Sequence, residues 1–395
     1  MKYLKDMNVQ VIIAIILGIV VGLYIPAIAT SLKFIGVVFV NLLKMLVVPL
    51  IFASIFTAIA GLGGIEKLKK KGVKTLFFYI LTTAFATFLA IVAMNLFPIG
   101  EPTTAAGLVY EKAAAIKPFS LESMLVSFIP TNIFNSLTSG SMMQIIVFSI
   151  LLAVSSLYLE NHQQDTLYNF FWAISNAMLE MSKWIIKLTP IGLFSLISFV
   201  VADQGVDILI NLWKYIFMVL GVLLVHLLLT LPSLLFIVKK INPYNYLNRV
   251  KDAILMAFST ASSAATLPVS LKTVVEKGGV SKESANFVLP LGATVSMDGT
   301  AAYLTVAVLY IANLAGVDMS FSQQLILGLT VVMLSIGVAA LPSASLVMMV
   351  VILNELGLPT EYIAIIVSVD RILDMARTSV NVTSDLVVTK MVDEK

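Results

Sequence analysis

The sequence predicts an all-α membrane protein with eight transmembrane helices plus two re-entrant helical hairpins, arranged as inverted repeats. Three observations carry that expectation. Hydrophobic residues make up 59% of the chain and charged residues only 12%, about half the roughly 25% charge of an ordinary soluble domain. The apolar residues gather in ten stretches of the length a bilayer requires, about 20 residues per helix. The polar residues that interrupt those stretches concentrate in the last third of the chain, where buried charge marks function.

The same composition narrows the chemistry. A net charge of +3 gives no reason to expect a nucleic acid or other polyanion as partner. With no cysteine, thiolate metal sites, thiol nucleophiles and disulfides are excluded. Two histidines, His162 and His226, are too few for a histidine metal cage.

Lys2 and Lys5 precede an apolar run, Val11 to Ile25, followed by Ala27-Ile28-Ala29. This resembles a secretory signal with a small-residue cleavage site, but its length and the spans that follow favour a first transmembrane helix at Val9–Tyr24. Five more spans are expected at Phe34–Ala60, Val73–Phe97, Ser120–Leu159, Leu167–Val201 and Ile208–Val238. Ser120–Leu159 is too long for one helix, and Pro130, Thr131, Asn132 and Gly140 predict a broken span. Basic loops at Lys67–Lys74 and at Lys239–Lys251 fall on the side of the N-terminus, which orients that side to the cytoplasm. The alternative is that lysines flank the helices on both sides.

Ala253–Val275 is apolar at both ends but holds Ser259-Thr260-Ala261-Ser262-Ser263-Ala264-Ala265-Thr266-Leu267-Pro268 in its middle. Both flanks are basic. Such a segment fits a hairpin that enters and leaves by the cytoplasmic face, because broken backbone at that depth needs protein or a wet cavity around it. Ala285–Ala315 then crosses outward. Ser322–Leu356, with Ser335 to Ser345 in its middle, repeats the pattern from outside, and Tyr362–Val388 crosses back, leaving both termini cytoplasmic. The hairpin tips should meet near the bilayer midplane, where secondary transporters bind substrate. The alternative is a pair of ordinary spans with small-residue packing faces.

The last span carries Asp370, Asp374, Arg377, Asn381 and Asp385. At about 100° per residue these lie within a stripe of roughly 80°, with Thr378 at its edge. Three aspartates and one arginine leave the stripe an excess of negative charge, which must bind cations, take up protons or pair with another element. Asp298, between Gly292 and Gly299 in Gly292-Ala293-Thr294-Val295-Ser296-Met297-Asp298-Gly299-Thr300, predicts an unwound, ion-binding stretch in the middle of another span; a kinked packing helix is the alternative. Arg377 suits either a substrate carboxylate or a pair with Asp370 or Asp374, and spacing alone leaves these equal. Asn381-Val382-Thr383 matches a glycosylation sequon by chance, given its membrane depth.

The combination of Phe258–Pro268, Leu289–Thr300 and the Asp370–Asp385 helix, supported by Lys44-Met45-Leu46, Pro49 and Pro130-Thr131-Asn132, resembles the sodium-dependent dicarboxylate/amino-acid symporter family, which includes excitatory amino-acid transporters and archaeal aspartate transporters. The resemblance spans essentially the whole chain. It implies a glutamate-transporter-like fold and a homotrimer in the bilayer. Scaffold parts would fall at 1–72 and 120–206, and transport-domain parts at 73–119, 207–250 and 251–395. The transport domain would slide as an elevator. It implies an acidic amino acid as substrate and sodium ions as coupling ions, with the proton as the alternative.

By the same resemblance Asp374 binds the substrate amino group and Arg377 its side-chain carboxylate. Thr378, Asn381, Thr300, Ser262, Ser263, Leu341 and Ser345 complete the substrate site. Asp385, Asn381 and Gly292 form one sodium site. Asp298, Ser296, Tyr79, Thr82 and Thr83 form a second, and Thr294 with Ser335, Ile336 and Val338 a third, beneath the outer hairpin that gates the site. Asp370 joins the cation-binding set.

The chain departs from the family pattern at Ser296, where the family motif has asparagine. It has Ala261 where archaeal members have arginine, Met375 where animal members have arginine, and Ala340, Ser343 and Ser345 in a tip that is usually glycine-rich. Potassium coupling is therefore not implied. Competing readings keep the fold with a neutral amino acid, cystine or a C4-dicarboxylate as substrate, or make the chain a channel; Asp374, a partner for an amino group, weighs against a plain dicarboxylate. An enzyme is not expected.

Overall fold

The structure is a computed structural model that describes residues 7–61, 71–100, 126, 128–139, 141–204, 212–335 and 344–394; of some of these, Thr294 and Arg371 among them, the backbone alone is described. Every regular element among these residues is helical. Three helical stretches are long and apolar enough to cross a bilayer, Val73–Leu96, Leu212–Lys239 and Lys282–Leu314, and two more qualify as bent pairs.

The first bent pair opens the chain. Helix α1 (Met7–Tyr24) meets α2 (Pro26–Ser31) at a proline, and α3 (Lys33–Ala60) follows. The axis turns by 117° between Tyr24 and Pro26. Proline lacks an N–H and biases the residue before it away from helix. The turn is pinned from α8 (Thr189–Gln204): the Ser195 hydroxyl donates to the Leu32 carbonyl at 2.7 Å and accepts from the Gly36 N–H at 2.9 Å. Helix α8 also packs along α1.

Helix α4 (Val73–Leu96) shows what lipid does to a helix. Its inward face buries Thr75, Tyr79, Thr82, Thr83 and Thr87, while Phe77, Ile80, Phe85 and Phe88 point outward. Hydroxyls share the buried face with Phe78, Ala86, Ala90 and Ile91, while the exposed face is apolar, a departure from the soluble pattern.

The expected break in the fourth span is present: α5 (Ile133–Ser139) and α6 (Met142–Ser156) are separate helices, and Asn132 Oδ1 caps the first by accepting from the Phe134 N–H at 2.9 Å. Gly140 lies outside the described residues. Leu167–Val201, expected as one span, is two helices. α7 (Asn161–Lys187) and α8 meet at a 56° bend beside Thr189-Pro190, which ends one helix and opens the next.

Helix α9 (Leu212–Val225) passes through a π-turn, His226–Thr230, into α10 (Leu231–Lys239). Pro232 cannot donate to the Leu228 carbonyl four residues back; the Tyr244 hydroxyl does so instead, at 2.8 Å.

Helices α11 (Pro243–Thr260) and α12 (Ser263–Glu276) pack on each other as a hairpin. Its tip is Ala261, in the left-handed region at φ 48°, and Ser262, whose side chain caps α12 through the Ala265 N–H. Then α13 (Lys282–Val295) stops at Ser296 and Met297, both non-helical, and α14 (Asp298–Leu314) resumes. Helices α15 (Phe321–Ser335) and α16 (Ala344–Glu355) flank the second expected tip, which lies outside the described residues. α15 rests on α4 and α14, and α16 on α3 and α14. The last helix, α17 (Ile363–Val392), packs on both α11 and α14.

Candidate functional site

The Asp370–Asp385 stripe faces α14, and its charges are deeply buried. Arg377 is 1% exposed, Asp298 0%, Asp370 2%, Asp374 5% and Asp385 4%. Four carboxylates against one guanidinium keep the negative excess read from the sequence. The site has two halves.

In the first half, Arg377 is held from three directions. Nη1 donates to Asp370 Oδ1 at 2.8 Å, and Nη2 and Nε donate to Asp374 Oδ1 at 2.7 and 3.1 Å. Its guanidinium carbon sits 4.1 Å from the centroid of the Tyr303 ring, a favourable cation–π contact. The Tyr303 hydroxyl donates to Asp370 Oδ1 at 2.8 Å. Three of the five guanidinium N–H groups are engaged this way. The pairing with Asp370 and Asp374, left open by spacing, is thus present. Asp370 Oδ2 is buried with no partner. Thr378 lies buried one residue on.

Asn381 joins the halves. Helix α14 begins without a capping side chain of its own at Met297, and its first N–H groups need acceptors. Asn381 Oδ1, from α17, accepts from Gly299 N at 2.8 Å and Thr300 N at 3.3 Å, and Asn381 Nδ2 donates to Thr300 Oγ1 at 3.2 Å. Such proximity demands glycine at 299, where a Cβ would lie 2.4 Å from the Arg377 carbonyl oxygen.

The second half surrounds Asp298 and Asp385. Asp298 Oδ1 accepts from Thr83 at 2.6 Å and Thr82 at 3.2 Å. Its Oδ2 lies 3.1 Å from His226 Nε2, and both side chains are fully buried. Asp385 packs against Gly292, where a Cβ would stand 2.3 Å from Asp385 Oδ1 and 2.2 Å from the Tyr79 hydroxyl. Tyr79 thus sits beside Asp385; its hydroxyl donates to the Val288 carbonyl at 3.0 Å, and its own carbonyl accepts from Thr82 and Thr83. Asp385 Oδ1 is buried without a partner. Ser296 hydrogen-bonds to the Asp385 carboxylate and lies 3.4 Å from Ser384.

The remaining expected residues are spread over the two hairpins. Ser263 is buried on α12, and Ser262 caps that helix. Ser335 is buried at the end of α15, its hydroxyl donating to the Val332 carbonyl at 2.7 Å, and Ser345 is buried with an unpartnered Oγ. Ile336, Val338, Leu341, Ala340 and Ser343 lie outside the described residues. Three residues were missed by the sequence reading: Tyr303, Ser384 and His226. Only His226 left a signal, as an ionisable residue inside an apolar span.

Apart from the His226 ring, the groups of the second half are carboxylates and hydroxyls, which suits a hard cation. Among the described residues no group of three or more His, Cys, Asp or Glu forms a metal cage. The unpartnered, buried Asp385 Oδ1 and the close-packed Gly292 beside it fit a small cation held by oxygen.

The chain is similar to known proteins over most of its length. The model of the sodium:dicarboxylate symporter family matches residues 7–395. The chain is 34% identical to a proton/sodium-glutamate symport protein of Bacillus caldotenax, over 94% of this chain and 90% of that one. It is 31% identical to a proton/glutamate-aspartate symporter of Escherichia coli, over 95% and 90%, and 28% identical to a C4-dicarboxylate transport protein of Bacillus subtilis, over 99% and 94%. With that match over nearly its whole length, the chain belongs to the sodium:dicarboxylate symporter family.

Proposed function

We propose that this protein is a secondary active symporter that imports an acidic amino acid, aspartate or glutamate, together with sodium. One observation carries the reading: a single buried guanidinium stands in a site with a surplus of buried carboxylates. Arg377 presents two further N–H groups to a substrate side-chain carboxylate, and Asp374 offers the substrate amino group an anionic partner. Asn381, Thr378, Thr300, Ser262, Ser263, Leu341 and Ser345 complete the pocket. The negative excess makes cation entry a condition of substrate entry, because an anionic substrate is repelled until the charge is balanced. Sodium is the co-transported ion. Asp385, Asn381 and Gly292 would hold one ion, and Asp298, Thr82, Thr83 and Ser296 another, with Tyr79 between the two; Thr294, Ser335, Ile336 and Val338 would form the third seat. Asp370 orients Arg377.

The wider layout belongs to the same proposal: eight spans, two re-entrant hairpins, a homotrimer in the inner or plasma membrane and an elevator movement of the transport domain. The packing of α1 and α3 on α8, and of α3 on α7, supports residues 1–72 and 120–206 as one scaffold. The packing of α4 on α14 and of α17 on α11 supports 73–119, 207–250 and 251–395 as the moving part. Cytoplasmic termini are supported by Lys74 and Lys239, which donate to the carbonyls of Val392 and Asp393 at the far end of α17.

The test is uptake in proteoliposomes. Labelled aspartate, glutamate and serine are supplied under an imposed sodium or proton gradient, with wild type and Arg377→Ala side by side. Sodium-driven accumulation of the acidic substrates is expected, and Arg377→Ala should lose them more than serine. Equal loss for both classes refutes the role of Arg377. The relative from Bacillus subtilis makes a C4-dicarboxylate the competing substrate, decided by adding labelled succinate.

One observation favours a second reading, proton coupling: His226 against Asp298. His226 Nε2, in hydrogen-bond reach of Asp298 Oδ2 with both side chains fully buried, places a proton-exchanging ring beside an expected cation ligand. On this reading His226→Gln abolishes proton-driven uptake; unchanged proton-driven uptake in that variant refutes it.

A further inference from the structure

Ser384 precedes Asp385 on α17, at the edge of the polar stripe, and belongs to no expected binding set. It is fully buried, as are Ser296, Thr82 and Asp298, none of them more than 1% exposed. Their oxygens form a chain. Asp298 Oδ1 lies 3.2 Å from Thr82 Oγ1, which lies 3.3 Å from Ser384 Oγ, which lies 3.4 Å from Ser296 Oγ. Hydroxyl hydrogen bonds ordinarily close to about 2.7–2.8 Å, and Thr83 reaches the same Asp298 oxygen at 2.6 Å. The longer spacing has a geometric meaning. A cation with oxygen ligands at about 2.4 Å, the range found for calcium, an ion close to sodium in size, holds adjacent octahedral ligands about 3.4 Å apart. The two consecutive spacings, Thr82 to Ser384 and Ser384 to Ser296, match those of adjacent ligands of such a cation. The buried, unpartnered Asp385 Oδ1 points independently to a ligand beside this cluster.

We propose that Ser384 is a cation-binding residue, and that Ser296 and Ser384 together supply the oxygen ligands which the family motif draws from one longer asparagine side chain at position 296. Two short hydroxyls from two helices, α14's leading segment and α17, cover the reach of one amide. The ligand is an alkali cation of sodium's size. The proposal rests on the sodium reading above and adds to it a residue that tunes affinity.

The experiment uses the full chain purified in detergent without substrate. Its melting temperature is followed against sodium chloride, with choline chloride holding ionic strength constant. Wild type should show a saturable rise. Ser384→Ala should raise the half-saturating sodium concentration about tenfold, the effect of losing one ligand. Ser384→Gly repeats the measurement with a second side-chain deletion, in case alanine impairs folding. Ser379→Ala serves as the control, since that hydroxyl donates to the Met375 carbonyl of its own helix, and it should stay within twofold of wild type. Adding Ser296→Asn to Ser384→Ala should restore half-saturation to within about threefold. A wild-type response with Ser384→Ala unmoved, or with an equal loss in Ser379→Ala, overturns the proposal alone. A wild-type chain without any sodium-dependent rise overturns it together with the sodium reading.

Discussion

Gly292→Ala sets two physical effects against each other in one substitution. Gly292 lies inside α13, where alanine is the better helix former by about 1 kcal/mol. Helix propensity alone therefore predicts a more stable protein. Packing predicts the reverse. The new Cβ would stand 2.2 Å from the Tyr79 hydroxyl and 2.3 Å from Asp385 Oδ1, and ordinary contact begins at 3.4 Å. Both groups must retreat by more than 1 Å. Tyr79 is tied to the Val288 carbonyl, so its retreat costs that hydrogen bond, about 1 kcal/mol, on top of about 1–3 kcal/mol for overpacking. Asp385 is an expected ligand of the ion, so a Cβ that displaces its carboxylate costs binding as well as folding. The lost Tyr79 hydrogen bond is common to both states and lowers the melting temperature, while the Asp385 share, about 1–3 kcal/mol, raises the half-saturating sodium concentration roughly fivefold or more. The assay is sodium-dependent aspartate uptake in proteoliposomes, with the sodium titration of melting temperature beside it. Adding Tyr79→Phe should recover only part of the loss, because the Asp385 contact remains. A Gly292→Ala protein that melts higher than wild type and responds to sodium within twofold of it refutes the reasoning.

Other outcomes follow from the same geometry. Ala261→Gly relieves a left-handed backbone at the α11–α12 tip and should stabilise the protein by about 0.5–1 kcal/mol, read as a higher melting temperature, whereas Ala261→Val should lower it. Asn381→Ala uncaps α14 and should cost about 1–2 kcal/mol, again read by thermal unfolding, with acidic substrate uptake lost in the same variant. Burial works to raise the Asp393 carboxyl, but hydrogen bonds from Ser281 and Ser284 and the charge of Lys390 outweigh it and hold the group below its ordinary value of 3.8. Its stabilising effect is therefore complete above that ordinary value and is lost as pH falls through the lowered one. Asp393→Asn should be less stable at pH 6 and lose less than wild type on acidification toward pH 3, as melting curves across that range will show.

The sequence made legible what depends on local chemistry. The broken stretch before Asp298 was readable because Gly292 and Gly299 bracket an acid inside an apolar run, and the stripe on α17 because helical periodicity is fixed. The hydroxyl-rich run Ser259–Pro268 announced the turn that Ala261 and Ser262 make between α11 and α12. Bends were readable only in part. Leu167–Val201 reads as one span although Thr189-Pro190 marks the break, because apolar residues continue through it. Pairings between distant helices left no trace. His226 finds Asp298 only through the packing of the sixth span on α14, and Tyr303 finds Arg377 only because Gly299 lets two backbones approach. Periodicity reports a face; it does not report what covers it.

The cap that Asn381 places on α14 has a consequence for biosynthesis. Thr82 and Ser384, which meet across the site, are 302 residues apart in the chain. The earlier contributors, from α4 to α14, are made and inserted before the helix that completes them. Until α17 arrives, α14 begins with uncapped N–H groups, although Asp298 already has Thr82, Thr83 and His226 as partners. Synthesis of the final helix is therefore the step that closes the membrane-embedded polar interior. Nascent chains stalled before residue 363 should be the ones that quality-control proteases remove.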